Sequence, residues 1–157
     1  MGGQSINAFD YAMAEGVRKS FKKAILSELK KAVAYTERYD QTVFAKIKEV
    51  IEKSPCGYGN SATVDTLNSI LCDTYISAKI YAQACRDVEE ETHQAMEAVI
   101  HNFNSLHSRA GAQVPFSSIN YGMDTSPEGR LVIREVLNAI DAGLGNGETP
   151  IFPISVF

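Results

Sequence analysis

SRAGAQVPFSSINYGMDTSPEGRLVIREVLNAIDAGLGNGETPIFPISVF, residues 108–157, reads as a strand, a capped helix, a glycine-rich connection and a second strand. Residues 112–120 alternate, with Val114, Phe116, Ser118 and Asn120 on one side and Gln113, Pro115, Ser117 and Ile119 on the other, which fits an extended segment. Pro115 cannot donate a ladder hydrogen bond and marks an edge, a bulge or a strand start. Ser126 is placed as an N-cap, Pro127 suits the first helical position, and Glu128 complements the positive end of the helix dipole. Val132, Ile133, Val136, Leu137 and Ile140 follow at helical spacing until Gly143, Gly145 and Gly147 end the pattern. Ile151, Phe152, Ile154, Val156 and Phe157 form a nearly continuous apolar run, as in a parallel strand covered on both faces. The expectation is a strand–helix–strand unit with a right-handed crossover, whose sheet continues in further strands or in a partner molecule.

Outward from this unit, the rest of the chain reads as helices. Val17, Phe21, Ala24, Ile25, Leu29, Ala32 and Val33 make one apolar stripe; Val43, Phe44, Ile47, Val50 and Ile51 make another, with Asp40 as a cap between them. Residues 54–60, SPCGYGN, break the pattern. Val64, Leu67, Ile70, Leu71, Tyr75, Ala78, Ala82 and Cys85 resume it, and Met96, Val99, Ile100, Phe103 and Leu106 carry it on. This predicts one very long helix, or two broken near residues 88–92, ending near residues 109–111. The fold class is helix-rich α/β, with residues 1–111 mainly helical and residues 112–157 a β-α-β part, one domain fragment in all.

Composition narrows the function. With 157 residues, 45% of them hydrophobic, the chain is long enough for one real core. No apolar run approaches the ~20 residues that cross a bilayer, and no signal peptide opens the chain, so a soluble cytoplasmic protein is expected. A net charge of -4 gives no global attraction to nucleic acid. Basic residues do cluster early, from Arg18 to Lys53, but they interleave with Glu28, Glu37, Glu49 and Glu52 as on a solvated helical face. Cys56, Cys72 and Cys85 fit no zinc or iron–sulfur spacing, and Cys72 and Cys85, on a helical pattern, read as reduced, small core residues. His93, His101 and His107 are eight and six apart, and Glu97–His101 is a pair without a third ligand, so no metal is expected.

The wording of the sequence adds a resemblance. The opening GGQSINAFDYAMAEGVRKSFKK, the string HSRAGAQVPFSSINYGMDTSPEGR and the string AGLGNGETPIFPI resemble the anaerobic (class III) ribonucleoside-triphosphate reductases. The likeness is close over residues 2–23 and 92–157, while residues 24–91 share only helical character. It implies a glycyl-radical enzyme built on a ten-stranded α/β barrel that reduces ribonucleoside triphosphates to deoxyribonucleotides. It also implies a thiyl cysteine on a loop in the barrel, formate or a thiol reductant, and a glycyl radical installed by an iron–sulfur activating enzyme using S-adenosylmethionine. Neither radical site matches a position in this sequence, so the expectation is an internal fragment, itself inactive and without a cofactor of its own.

Site residues follow from the pattern and the resemblance together. Ligands approach the carboxyl ends of strands in parallel α/β sheets, which makes Ser117, Ser118 and Asn120 candidates for ribose or phosphate contact, with Glu148 as a minor acid–base or positioning candidate. Strand-to-loop hydrogen bonding is the plainer role for such Ser and Asn residues. The resemblance further implies a homodimer through the long helices, with a deoxynucleotide effector bound there. Gln4 and Ser5 are then candidates for base or sugar contact and Lys22 and Lys23 for phosphates; alternatively the first two line a turn in an opening loop and the lysines solvate a helix. A noncatalytic helical dimerisation module is the competing reading, and only the reductase fragment predicts specific deoxynucleotide binding.

Overall fold

The computed structural model describes residues 3–35, 41–54, 56–105, 114–145 and 147–157. The expected features at Arg38, Asp40, Pro55, Leu106, His107, residues 109–113 and Asn146 lie outside the described residues. The order of elements is β1 (Gln4–Ile6), α1 (Phe9–Tyr35), α2 (Gln41–Lys53), α3 (Ala62–Leu71), α4 (Thr74–Ser105), β2 (Ser117–Asn120), α5 (Pro127–Ala142) and β3 (Ile154–Val156). The chain is helix-rich α/β and divides into two compact units, Met1–Glu15 with Glu90–Phe157, and Gly16–Glu89.

The first unit contains the sheet. Its three strands are all parallel in the order β1-β2-β3, with Gln4 opposite Ser117, Ser5 opposite Ser118, Ser118 opposite Ile154 and Asn120 opposite Val156. The strand–helix–strand reading therefore holds for β2, α5 and β3, but the sheet has a third strand that the sequence hid. Gln4 and Ser5 belong to β1 rather than to an opening loop. Three residues without apolar alternation carry no strand signal of their own. What makes them a strand is hydrogen bonding to β2, including Gln4 N–H to the Phe116 carbonyl at 2.8 Å.

Ser126 caps α5 as its position foretold. Its hydroxyl accepts the Gly129 N–H at 3.1 Å, and Pro127 opens the helix. The buried stripe of α5 is Leu131, Val132, Glu135, Val136 and Ala139, whereas Leu137 is 48% exposed. The stripe is rotated from the one inferred because it includes a carboxylate that apolar periodicity cannot register. Gly143 closes the helix at φ 78°, and its N–H returns to the Ala139 carbonyl. A methyl there would meet the Glu148 carbonyl oxygen, so both the conformation and the space favour glycine.

β3 corrects another expectation. It is only Ile154–Val156, and all three residues are exposed, as are Ile151 and Phe157. An apolar run read as covered on both faces is thus open within this chain. Asn104 of α4 holds the approach to the strand. Its side-chain oxygen accepts the N–H groups of Ile151 and Phe152 at 2.9 and 3.0 Å, and its amide donates to the carbonyls of Phe152 and Ile100 at 2.6 and 2.7 Å.

The second unit is helical. Val17, Phe21, Ile25 and Leu29 are buried on α1, Ile47 and Ile51 on α2, Leu67 and Leu71 on α3, and Ile80, Ala84 and Val88 on α4. Phe21 meets Tyr58 and Tyr81 edge-on, with ring centroids 6.4 and 5.9 Å apart. The expected break in the long helix falls elsewhere: α4 is continuous through residues 88–92, and the chain turns at Cys72-Asp73. Cys72 adopts the left-handed conformation at φ 51° with its N–H on the Asn68 carbonyl. Asp73 then caps α4 by accepting the Ile76 N–H at 3.0 Å. Because the turn resets the helical phase, Tyr75, Ala78 and Cys72 are exposed instead of lying on the apolar stripe. Cys56 is buried and Cys85 half-buried, and burial pushes the Cys85 thiol up despite a hydrogen bond with Tyr81.

Candidate functional site

The carboxyl end of the sheet is organised by a buried carboxylate. Asp10, at the start of α1, is fully buried, yet burial does not keep its carboxyl protonated. Burial works to raise its affinity for a proton, but backbone N–H groups of Asp124, Gly122, Tyr11 and Met123 outweigh that and hold it below the usual range. The Asp124 and Gly122 contacts measure 2.8 and 2.9 Å. Asp124 is buried in turn; its Oδ1 accepts the Ser126 N–H at 2.8 Å, just ahead of α5. Its Oδ2, like the Oγ of buried Ser117, has no hydrogen-bond partner among the described residues. The segment between β2 and α5, where ligands of α/β sheets approach, is therefore fixed from below by Asp10.

A second polar group joins α4 to α5. Glu135 is buried, and its carboxylate accepts from Arg134 at 2.7 Å and from Asn138 at 3.1 Å, while the His93 ring nitrogen Nδ1 lies 3.0 Å away. Burial alone would raise its proton affinity, but these partners hold it low. The other nitrogen of His93 faces Glu97 at 3.4 Å. His93 is thus a partnered histidine, and His101 is exposed.

The candidate residues divide by sheet face. Neighbours in parallel register project to the same side and alternate along each strand. Ser5, Ser118 and Asn120 share one face with Ile154 and Val156, and Gln4 and Ser117 share the other with Ile119, which is fully buried. Ser118 and Asn120 are half-buried and Ser5 is exposed. Ser117 begins β2, so only Asn120 stands at its carboxyl end. Glu148 is exposed in a closed turn, in which its N–H meets the Gly145 carbonyl and its carbonyl meets the Leu144 N–H. Lys22 and Lys23 lie in the helical unit, where the Lys22 ammonium reaches the Glu52 carbonyl at 3.5 Å and Lys23 is exposed. That unit also has a groove of about 830 Å³ between α1 and α4, lined by Lys31, Tyr35, Tyr75, Lys79 and Arg86 among others.

Asp10, Asn104, Glu135 and Asn7 escaped the sequence reading. Three of them act through partners more than 40 residues away, which no local pattern reveals. Asn7 did leave a signal: the tripeptide Ser-Ile-Asn occurs twice, at residues 5–7 and 118–120.

A three-stranded parallel sheet with a helix crossover, braced at the carboxyl end by a buried carboxylate, defines the chain as a helix-rich α/β protein. The chain belongs to the anaerobic ribonucleoside-triphosphate reductase family, whose sequence model matches residues 1–157, including the stretch 24–91 where only helical character was legible. It is similar to proteins named anaerobic ribonucleoside-triphosphate reductase from several sources. The Haemophilus influenzae protein is 37% identical over 78 residues, 49% of this chain and 11% of that protein. The Salmonella typhimurium protein is 39% identical over 70 residues, 44% of this chain and 10% of that protein. The phage T4 protein is 30% identical over 131 residues, 83% of this chain and 20% of that protein. The chain therefore spans only a small part of the length of these relatives.

Proposed function

We propose that this chain is part of the catalytic subunit of an anaerobic ribonucleoside-triphosphate reductase, an oxidoreductase making deoxyribonucleoside triphosphates for DNA synthesis. The match of the family's sequence model to all of residues 1–157 carries this reading. In it, β1, β2 and β3 are strands of the ten-stranded barrel. The exposed outer strands Gln4–Ile6 and Ile154–Val156 support that assignment, because open parallel edges need further strands beside them. The radical steps, with their thiyl cysteine and activase-installed glycyl radical, belong to other parts of the enzyme. The chain by itself supplies binding and assembly and does not turn over.

The long helices α1 and α4 form the dimer contact and hold the deoxynucleotide effector. The groove between them supports this, since Lys79 and Arg86 offer cations for phosphates and Tyr35 and Tyr75 offer rings for a base, while Lys31 is paired with Glu28 in the same lining. Calorimetric titration with each deoxynucleoside triphosphate, alongside light scattering, tests the proposal. Saturable binding to a dimer is expected, with ribonucleotides weaker. A folded dimer that binds no deoxynucleotide would remove the effector assignment, and a folded monomer would remove the dimer.

A further inference from the structure

Spacing along the chain gives α4 no set of metal ligands; the residue that changes this comes from α5. His93 and Glu97 stand one helical turn apart on α4, and the His93 Nε2 lies 3.4 Å from a Glu97 carboxylate oxygen. The opposite ring nitrogen, Nδ1, lies 3.0 Å from Glu135 Oε2. Glu135 is buried, and its oxygens also accept from Arg134 Nε and from the Asn138 amide. An ionised carboxylate can only accept, so Nδ1 carries the hydrogen and donates it. In the neutral ring Nε2 then keeps its lone pair, on the side that faces Glu97.

That is the arrangement in which histidine holds a metal. A metal-binding imidazole nearly always donates its other N–H to a carboxylate, a carbonyl or water, which fixes the tautomer and makes the coordinating nitrogen more basic. The separation fits as well. Zinc takes imidazole nitrogen and carboxylate oxygen at about 2.0–2.2 Å, and a tetrahedral angle between two such bonds sets the donor atoms about 3.4 Å apart. A direct charge-assisted N–H···O bond is shorter, about 2.7–2.9 Å. The side chains of His93 and Glu97 are 38% and 47% exposed, so an ion reaches them from solvent and water completes its shell. Among the described residues no group of three ligands is assembled, which makes this an open site of two protein ligands rather than a closed structural one. An imidazole nitrogen beside one carboxylate oxygen suits zinc and similar borderline metals, whereas magnesium and calcium select shells of oxygen. We propose that His93 and Glu97 form a binding site for zinc or a similar divalent metal, with Glu135 as the positioning residue that orients His93. The site shares no residue with the strand ends or with the groove between α1 and α4, so it is independent of the nucleotide reading.

The test titrates the 157-residue chain with zinc chloride, reading the imidazole nitrogens of His93 by nuclear magnetic resonance and the affinity by calorimetry. Before zinc is added, the neutral ring should carry its hydrogen on Nδ1. On saturation the Nε2 signal should move while Nδ1 keeps its hydrogen, and magnesium at the same concentration should leave both signals in place. His93→Ala should abolish the event, Glu135→Gln should weaken it by about 10–100-fold, and Glu97→Gln by at least as much. His101→Ala should leave it unchanged, although His101 also lies four residues from Glu97. Thermal midpoints separate lost binding from lost folding, and zinc should raise the midpoint of the parent chain but not that of His93→Ala. Zinc that binds elsewhere, for example at exposed Cys72, and leaves the His93 signals in place would overturn the site. An affinity unchanged by Glu97→Gln would overturn it too, leaving a lone surface histidine. An affinity unchanged by Glu135→Gln in a folded variant would overturn the positioning role.

Discussion

The Asp10 carboxylate accepts the backbone N–H of Asp124 at 2.8 Å, tying residues 114 positions apart in the sequence. The same Oδ2 accepts the Gly122 N–H at 2.9 Å, so one buried side chain sets the path of the chain as it leaves β2. Replacing Asp10 strands those amides. Asp10→Ala should cost about 3 kcal/mol in urea unfolding, within the range for hydrogen bonds to a charged group. Asp10→Asn, which keeps one oxygen, should cost less.

The same residue predicts an acid response. Asp10 and Glu135 both hold their protons less tightly in the fold than ordinary carboxyls. A depressed folded value means stability that is present above the unfolded values, about 3.9 for Asp and about 4.3 for Glu, and lost as pH falls through the folded ones. The chain should therefore lose stability as pH falls below about 4.3. Glu135→Gln and Asp10→Asn should each flatten that part of the curve. Thermal midpoints across an acid series would show it, and an unchanged acid slope in both variants would count against the assignment.

Asn104 predicts a local effect. Its carboxamide satisfies the backbone of Ile151 and Phe152 from α4. Asn104→Ala should cost about 1–3 kcal/mol and raise amide exchange chiefly from Ile151 to Val156. Uniform loosening of the whole first unit would show that Asn104 is not the specific anchor of β3.

Two helical glycines should respond oppositely to alanine. A methyl on Gly16 meets nothing within 4 Å, so Gly16→Ala should stabilise by about 0.5–1 kcal/mol through helix propensity. A methyl on Gly129 would lie on the Asp124 carboxylate, and Gly129→Ala should destabilise by about 1–3 kcal/mol despite the same propensity gain. Urea midpoints of the pair compare the two directly.

Cys72 predicts a chemical result and a stability result. It is exposed and left-handed, whereas Cys56 is buried and burial raises the Cys85 thiol. Under native conditions a thiol reagent should label Cys72 first, as mass spectrometry of digested protein would reveal. Cys72→Gly should stabilise by about 0.5–1 kcal/mol, since glycine adopts that conformation without a Cβ clash.

How much of this was legible depended on the range of the forces involved. Ser126, Pro127 and Glu128 announced the start of α5, because capping is a matter of four consecutive residues. The glycines at 143, 145 and 147 announced its end and take positive φ for the same local reason. Apolar spacing placed Phe21, Ile25, Leu29, Ile47 and Ile51 inside correctly. The turn at Cys72-Asp73 was missed although Asp73 is an ordinary cap, because the apolar spacing runs across it with little interruption.

By itself, then, the sequence determined the helix-rich character, the cap and end of α5, the strand–helix–strand unit and the family, all of which reside in local periodicity or in long distinctive strings. Tertiary structure alone decided that Gln4–Ile6 is a strand, that Asp10 and Asn104 brace the sheet, and that Ser5 and Ile6 stand opposite Ser118 and Ile119. The pairing of β1 with β2 and the contacts of Asp10 and Asn104 across the sheet join residues more than 40 positions apart, so their energy depends on neighbours that no local window contains.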